Sequence, residues 1–137
     1  MHFTTIQLAQ LGLLAGSFVV LAFGALLQVR HMAAVPRIDS TDNLHAFTRF
    51  ARSQMYLSIG LLCFVVPAIA LIFVDTAKTT RAEAIVMWVP YGIIFLFAVT
   101  TKAREKRIRD INRCAPEWRE DFSAVCHSWT KRILPDF

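Results

Sequence analysis

The sequence predicts an all-α membrane protein with three spans, in which helices two and three extend into the cytoplasm and a C-terminal amphipathic helix follows. Apolar residues make up 55% of the 137 residues, above the roughly 45–50% of soluble domains. They are concentrated in three uncharged blocks, 11–29, 56–74 and 84–101. Each block is close to the about 20 residues that a helix needs to cross a hydrocarbon core. The length fits a single membrane domain, 1–137.

The first span is predicted at about 8–29. No Lys or Arg precedes it, and the apolar run is longer than that of an export signal, so we interpret it as a retained helix. Gly12 and Gly16 are four residues apart, a spacing that lets a second helix approach closely. We therefore predict that these two glycines form a helix-packing surface.

The second helix is predicted to begin in the cytoplasm, at about residue 41. Pro36 and the capping residues in 39–42 mark a break before it. An apolar stripe then recurs at helical spacing, at Leu44, Phe47, Ala51 and Met55. Because no breaker follows, the cytoplasmic helix 41–54 is expected to continue directly into the second span, 55–74.

The third span is predicted at about 84–101, with a cytoplasmic extension over 102–113. Pro67 and Pro90 lie inside spans two and three and are expected to kink them, because proline removes one helical hydrogen bond. The alternative is that the two prolines flank a binding cavity near Trp88 and Tyr91.

A basic cluster follows the third span. Lys and Arg beside a span attract anionic lipid by about 1 kcal/mol each. Five residues are the candidates for contact with anionic headgroups: Lys102, Arg104, Lys106, Arg107 and Arg109. The simpler role of this cluster is to serve only as the topology signal, and that role is favoured. Binding of nucleic acid is not expected, because Glu105 and Asp110 interrupt the basic run beside the membrane.

The last predicted helix is 116–133. Its apolar residues are three or four positions apart, which gives one continuous face: Trp118, Phe122, Val125, Trp129 and Ile133. This face either lies in the membrane interface or packs on the apolar stripe of 41–54, and we favour packing. Trp118, Phe122 and Trp129 are the predicted anchors for a partner or for the interface.

The distribution of Lys and Arg predicts the orientation. The segment between the first two spans and the C-terminal tail are rich in Arg and Lys, whereas the hairpin link carries only Lys78 and Arg81. Basic loops remain in the cytoplasm. We therefore expect a bacterial inner-membrane protein with its N-terminus outside and its C-terminus in the cytoplasm.

Catalytic, metal and cofactor motifs are not found in the sequence. The apolar blocks contain neither charged residues nor histidine, and no phosphate-binding loop or nucleophile elbow is present. Packing and surface roles are favoured over a zinc site for the candidate ligands His31, His45, Cys114, Cys126 and His127. No cofactor is predicted.

The favoured function is that of a non-catalytic accessory or interaction subunit. Its basic and aromatic cytoplasmic helices would dock a protein partner or anionic lipid. The alternative is a homo-oligomeric small channel or carrier whose path includes Ser58, Cys63 and Thr100. A membrane-embedded enzyme that uses Arg49, Arg52 and neighbouring Tyr56 for a lipid-like substrate is the third hypothesis.

Overall fold

The computed structural model describes residues 3–74 and 81–134, and all regular structure in those ranges is helical. Four α-helices occur there: α1 (Thr5–Ala34), α2 (Thr41–Val74), α3 (Arg81–Ile108) and α4 (Arg119–Lys131). Two short 3-10 turns, Ile111–Arg113 and Pro116–Trp118, lie between α3 and α4. Helices α1, α2 and α3 are each long and apolar enough to cross a membrane. The hairpin link 75–80, including Lys78, lies outside the described residues.

Helix α1 packs against both α2 and α3 through one regular stripe. The buried residues of this stripe alternate by three and four positions: Gln7, Gln10, Leu14, Ser17, Leu21, Gly24 and Gln28. Such spacing keeps one face of a helix against its neighbours along its whole length. The N-terminus of α1 is fixed by a capping box, in which Thr4 and Gln7 each accept a hydrogen bond from the other's backbone N–H.

Helix α2 runs unbroken from Thr41 to Val74, so the predicted extension and the second span are one helix. At its start, Ser40 Oγ accepts a hydrogen bond of 3.3 Å from the backbone N–H of Asn43. Pro67 lies within α2 and Pro90 within α3, and both helices continue past their proline.

Helix α3 ends at Ile108 rather than at residue 113. Asp110 caps the 3-10 turn that follows, accepting a hydrogen bond of 3.0 Å from the backbone N–H of Asn112. Two backbone hydrogen bonds of 2.8 Å then join this segment to the α1–α2 link, from Ile38 N to Arg113 O and from Ala115 N to Ile38 O. These contacts place both links at one end of the bundle, which we call the α4 end.

A hydrophobic cluster fills the α4 end and fixes α4 on the first turns of α2. The ring centroids of Phe47 and Phe122 are 4.8 Å apart, and the Trp129 ring packs edge-on against Phe50 at 5.8 Å. We call the buried residues of this set the aromatic cluster: Val35, Ile38, Phe47, Phe50, Ala51, Met55, Ile108, Cys114, Phe122 and Trp129.

Elsewhere in the bundle, α2 and α3 turn large apolar side chains outward. Phe73 is 83% exposed and Phe95 is 68% exposed. Continuous exposed apolar surface of this kind is unusual for a protein in water and ordinary where lipid tails cover it. The outward faces therefore match a helix bundle surrounded by hydrocarbon.

Candidate functional site

A cleft lies at the α4 end, between α2, α3 and the end of α4, with a volume of about 300 Å³. We call it the α4 cleft. Its α3 wall carries Lys102, Glu105 and Arg109, which are three and four residues apart and so share one helix face. Arg132 lies on the α4 side. The α2 wall is mostly apolar and includes Met55, Ser58, Ile59 and Leu62.

Glu105 is the charged centre of this cleft. The residue is only 7% exposed. Its carboxylate accepts a 2.8 Å contact from Lys102 Nζ and a looser one, 3.7 Å, from the Arg109 guanidinium. Burying a carboxylate is costly unless it is paired, and these two cations are its partners. In the sequence Glu105 is only a break in the basic run, and its central position in the cleft is not evident there.

Arg109 is held over the ring of Trp129, with its guanidinium carbon 5.5 Å from the ring centroid. Its Nε is buried and has no hydrogen-bond partner among the described residues. Arg109 therefore retains hydrogen-bonding capacity that Glu105 does not use. The contact with the Trp129 ring favours this position of the guanidinium.

A second, smaller cavity of about 90 Å³ adjoins the cleft and reaches into the bundle. Gln54 donates a hydrogen bond of 3.2 Å to the carbonyl of Gly24 and accepts a longer one of 3.5 Å from Gln28. Gln28 is 1% exposed, and its Oε1 is without a hydrogen-bond partner in the described part of the chain. These two glutamines link α1 and α2 in the apolar part of the fold.

Tyr91 makes a second polar contact, closer to the hairpin between α2 and α3. Its hydroxyl group accepts a hydrogen bond of 2.6 Å from Gln10 and donates one of 3.0 Å to the carbonyl of Ala68. The ring lies 5.6 Å from that of Trp88. Beside it, an apolar groove of about 320 Å³ runs between α1 and α3 along Pro90.

The two glycines predicted to pack lie in different surroundings. A Cβ atom at Gly16 would be 2.7 Å from the ring of Phe64, so this position is where α1 and α2 approach closely. A Cβ atom at Gly12 would have nothing within 4 Å.

The predicted aromatic anchors all lie in or against the aromatic cluster. Phe122 is 1% and Trp129 8% exposed, and the half-buried Trp118 packs against the same residues. Their apolar surface is thus used inside the chain. Of the predicted lipid-contacting residues, Lys102, Lys106 and Arg107 are exposed and Arg104 and Arg109 are half-buried.

Cys114, Cys126 and His31 pack at the α4 end, whereas His45 and His127 are exposed. Burial raises the pKa of the Cys114 thiol, and it raises that of Cys126 to about 11, which keeps both protonated at neutral pH. His31 stacks on Phe50 with ring centroids 4.2 Å apart. Within residues 3–74 and 81–134, no three His, Cys, Asp or Glu side chains are grouped as metal ligands.

Comparison of the chain with protein-family models, curated proteins and solved structures gave no match.

Proposed function

We propose that this chain is a non-catalytic accessory protein of a bacterial inner membrane. Its three spans hold α4, the inner turns of α2 and the end of α3 on the cytoplasmic side, where they dock anionic lipid headgroups or the acidic surface of a protein partner. The concentration of Lys and Arg between the first two predicted spans and after the third supports this orientation, because such segments remain in the cytoplasm.

One observation carries the proposal: the aromatic residues of α4 are buried, while basic residues remain outside. Phe122 and Trp129 pack into the aromatic cluster, whereas Lys102, Lys106 and Arg107 are exposed on the last turns of α3. Because the packed helices already hold these basic residues in place, binding an anion costs little additional conformational entropy. We infer that charge, rather than exposed aromatic surface, recruits the ligand.

The supporting scaffold is rigid because it is joined at several points. Arg113 donates hydrogen bonds to two carbonyls at the end of α1, to Val35 at 2.7 Å and to Pro36 at 3.2 Å. Side-chain groups with positive charge favour a helix C-terminus, where carbonyls lack partners. The tail after α3 is therefore tied to α1 as well as to α2.

The test is extraction of the protein in a mild detergent after crosslinking, followed by analysis of the bound lipids and proteins. The Lys102→Glu/Lys106→Glu/Arg107→Glu variant reverses the charge of the three exposed basic residues on the last turns of α3, and Arg81→Glu at the first turn of α3 is the control at the opposite end. We expect anionic lipid or one protein partner to be enriched with the unmodified chain and with Arg81→Glu, and to be lost with the triple variant.

If the unmodified chain were recovered as a monomer without bound lipid or protein, the proposal would be contradicted. A symmetric homo-oligomer that forms equally well in both variants would instead favour the small channel or carrier, in which the exposed Cys63 and Thr100 face a second copy.

A further inference from the structure

We propose that the α4 cleft is a binding site for one anionic phospholipid, with the phosphate held by Lys102, Arg109 and Arg132 and an acyl chain lying along Ile59 and Leu62. This inference rests on the proposed function, because it makes the general attraction of the α4 end for anionic lipid into one defined site. It differs from that function in predicting that only some of the basic residues determine the affinity.

The charge of the cleft fits an anion. Three cationic residues line it, Lys102, Arg109 and Arg132, against one carboxylate, Glu105, so the described lining has a net charge of +2. Glu105 is engaged mainly by Lys102, at 2.8 Å, and is 3.7 Å from Arg109, beyond hydrogen-bond distance. Arg109 is thus the cation that is least neutralised within the α3 wall.

The geometry of Arg109 fits a phosphate oxygen. The guanidinium carbon lies 5.5 Å from the centroid of the Trp129 ring, which favours this position at the wall of the cleft, and the side chain remains 25% exposed. Guanidinium groups bind phosphate through paired N–H donors. Because the buried Nε has no hydrogen-bond partner among the described residues, an added negative charge nearby would also offset the cost of that unpaired group.

The cleft is polar at one end and apolar at the other, as a phospholipid is. Arg109 and Arg132 lie toward α4, whereas Ile59 and Leu62 lie further along α2, within the second apolar block. From Met55 to Leu62 the α2 wall rises about 10 Å at 1.5 Å per residue. Leu62 is 56% exposed and so is open to a lipid chain from the hydrocarbon side.

A free phosphate ion would use the same cations but would gain nothing from the apolar wall. Contact of an acyl chain with Ile59 and Leu62 is a favourable contribution that a free phosphate ion lacks. The lipid is therefore the expected ligand, and inorganic phosphate serves as the comparison ligand.

The test measures binding of dioleoyl phosphatidylglycerol to the purified full chain in a neutral detergent, by native mass spectrometry and by the shift in thermal unfolding. Dioleoyl phosphatidylcholine and inorganic phosphate are the comparison ligands. We expect at least tenfold tighter binding of phosphatidylglycerol than of phosphatidylcholine, and no detectable stabilisation by inorganic phosphate at the same concentration.

Two double variants remove the same charge from the same helix. Lys102→Gln/Arg109→Gln empties the cleft of two cations, and Lys106→Gln/Arg107→Gln is the matched control outside it. We expect the first to weaken binding of phosphatidylglycerol at least tenfold and the second less than threefold. Arg132→Gln leaves the contacts of Glu105 in place and is expected to weaken binding at least threefold, so the result does not depend on the double variant alone.

Equal losses in the two double variants would overturn the cleft while leaving a diffuse basic surface, and hence the proposed function, intact. If neither Arg132→Gln nor Lys102→Gln/Arg109→Gln weakened the binding of phosphatidylglycerol, the cleft would also be overturned as the binding site. If the unmodified chain showed no preference for phosphatidylglycerol and Lys102→Glu/Lys106→Glu/Arg107→Glu changed nothing in the crosslinked particle, both the site and the proposed function would be wrong.

Discussion

The hydroxyl group of Tyr91 connects all three long helices. It lies on α3, accepts a hydrogen bond from Gln10 on α1 and donates one to the carbonyl of Ala68 on α2. Hydrogen bonds between helices in a membrane contribute about 0.6 kcal/mol on average and up to about 1.7 kcal/mol. Single polar groups therefore help to fix how the apolar helices are arranged.

Replacing Tyr91 tests this contact. Tyr91→Phe removes the hydroxyl group and leaves the buried Gln10 amide without its acceptor, so we expect the free energy of unfolding in detergent to fall by about 1 kcal/mol. Tyr56→Phe is the control, since Tyr56 is 60% exposed. Equal stability of the two variants, or full additivity with Gln10→Leu in a double-mutant cycle, would contradict the contact.

The two glycines of α1 allow a matched comparison. Gly16→Leu forces a side chain against the ring of Phe64, where even a Cβ atom would be 2.7 Å away, and overpacking costs about 1–3 kcal/mol. Gly12→Leu adds the same side chain in open space. We expect a lower thermal midpoint only for Gly16→Leu, and equal midpoints would show that α1 and α2 do not meet at this position.

At the scale of single residues, one polar helix contact could have been predicted from the sequence but was not. The spacing of Gln7, Gln10, Ser17 and Gln28 places these polar residues on one stripe, and that signal was available for predicting a polar helix contact. The partners of Tyr91 were not predictable, because they depend on how α2 and α3 are rotated relative to each other. Nothing local in the sequence sets that rotation.

Helix α4 packs on α2 through part of its predicted apolar face. The predicted helix was 116–133, and its apolar face was Trp118, Phe122, Val125, Trp129 and Ile133. In the structure Phe122 and Trp129 pack on Phe47 and Phe50 of α2, whereas Ile133 lies beyond the end of α4 and is 80% exposed. The premature end of α3 at Ile108 was not predictable from propensity, because it accompanies backbone contacts with Ile38, far away in the sequence.

Removing the Phe122 ring is expected to detach α4. Phe122 is 1% exposed, and Phe→Ala substitutions in such sites cost about 3–5 kcal/mol. The measurement is the alkylation rate of the Cys114 thiol, which is buried in the same cluster and whose pKa burial raises. Because the thiolate is the reacting form, alkylation should be slow in the intact chain.

We expect Phe122→Ala to speed that alkylation at least tenfold at fixed pH. Ser123→Ala, at the next and exposed position, should leave the rate unchanged. Rapid alkylation of Cys114 in the unmodified chain would contradict the packing of α4 on α2.

At the scale of the whole molecule, the chain has two unlike ends. The links at the α4 end meet through Ile38, Arg113 and Ala115. Of the 15 Lys and Arg residues, 13 lie between the first two predicted spans or after the third. Three long apolar helices were predictable from composition and block length, since a span has a required length. The α4 cleft was not predictable, because it is formed by three helices that are distant in the sequence and meet only in the fold.

The proposed function requires the α4 end to lie in the cytoplasm, and labelling of single cysteines on intact cells tests that most directly. In a chain with Cys63→Ala, Cys114→Ala and Cys126→Ala, one added cysteine is placed at either end of α3, by Arg81→Cys or by Lys106→Cys. A membrane-impermeant maleimide is expected to label the Arg81→Cys chain on intact spheroplasts and the Lys106→Cys chain only after the membrane is opened. The reverse pattern would place the basic surface outside and contradict the account.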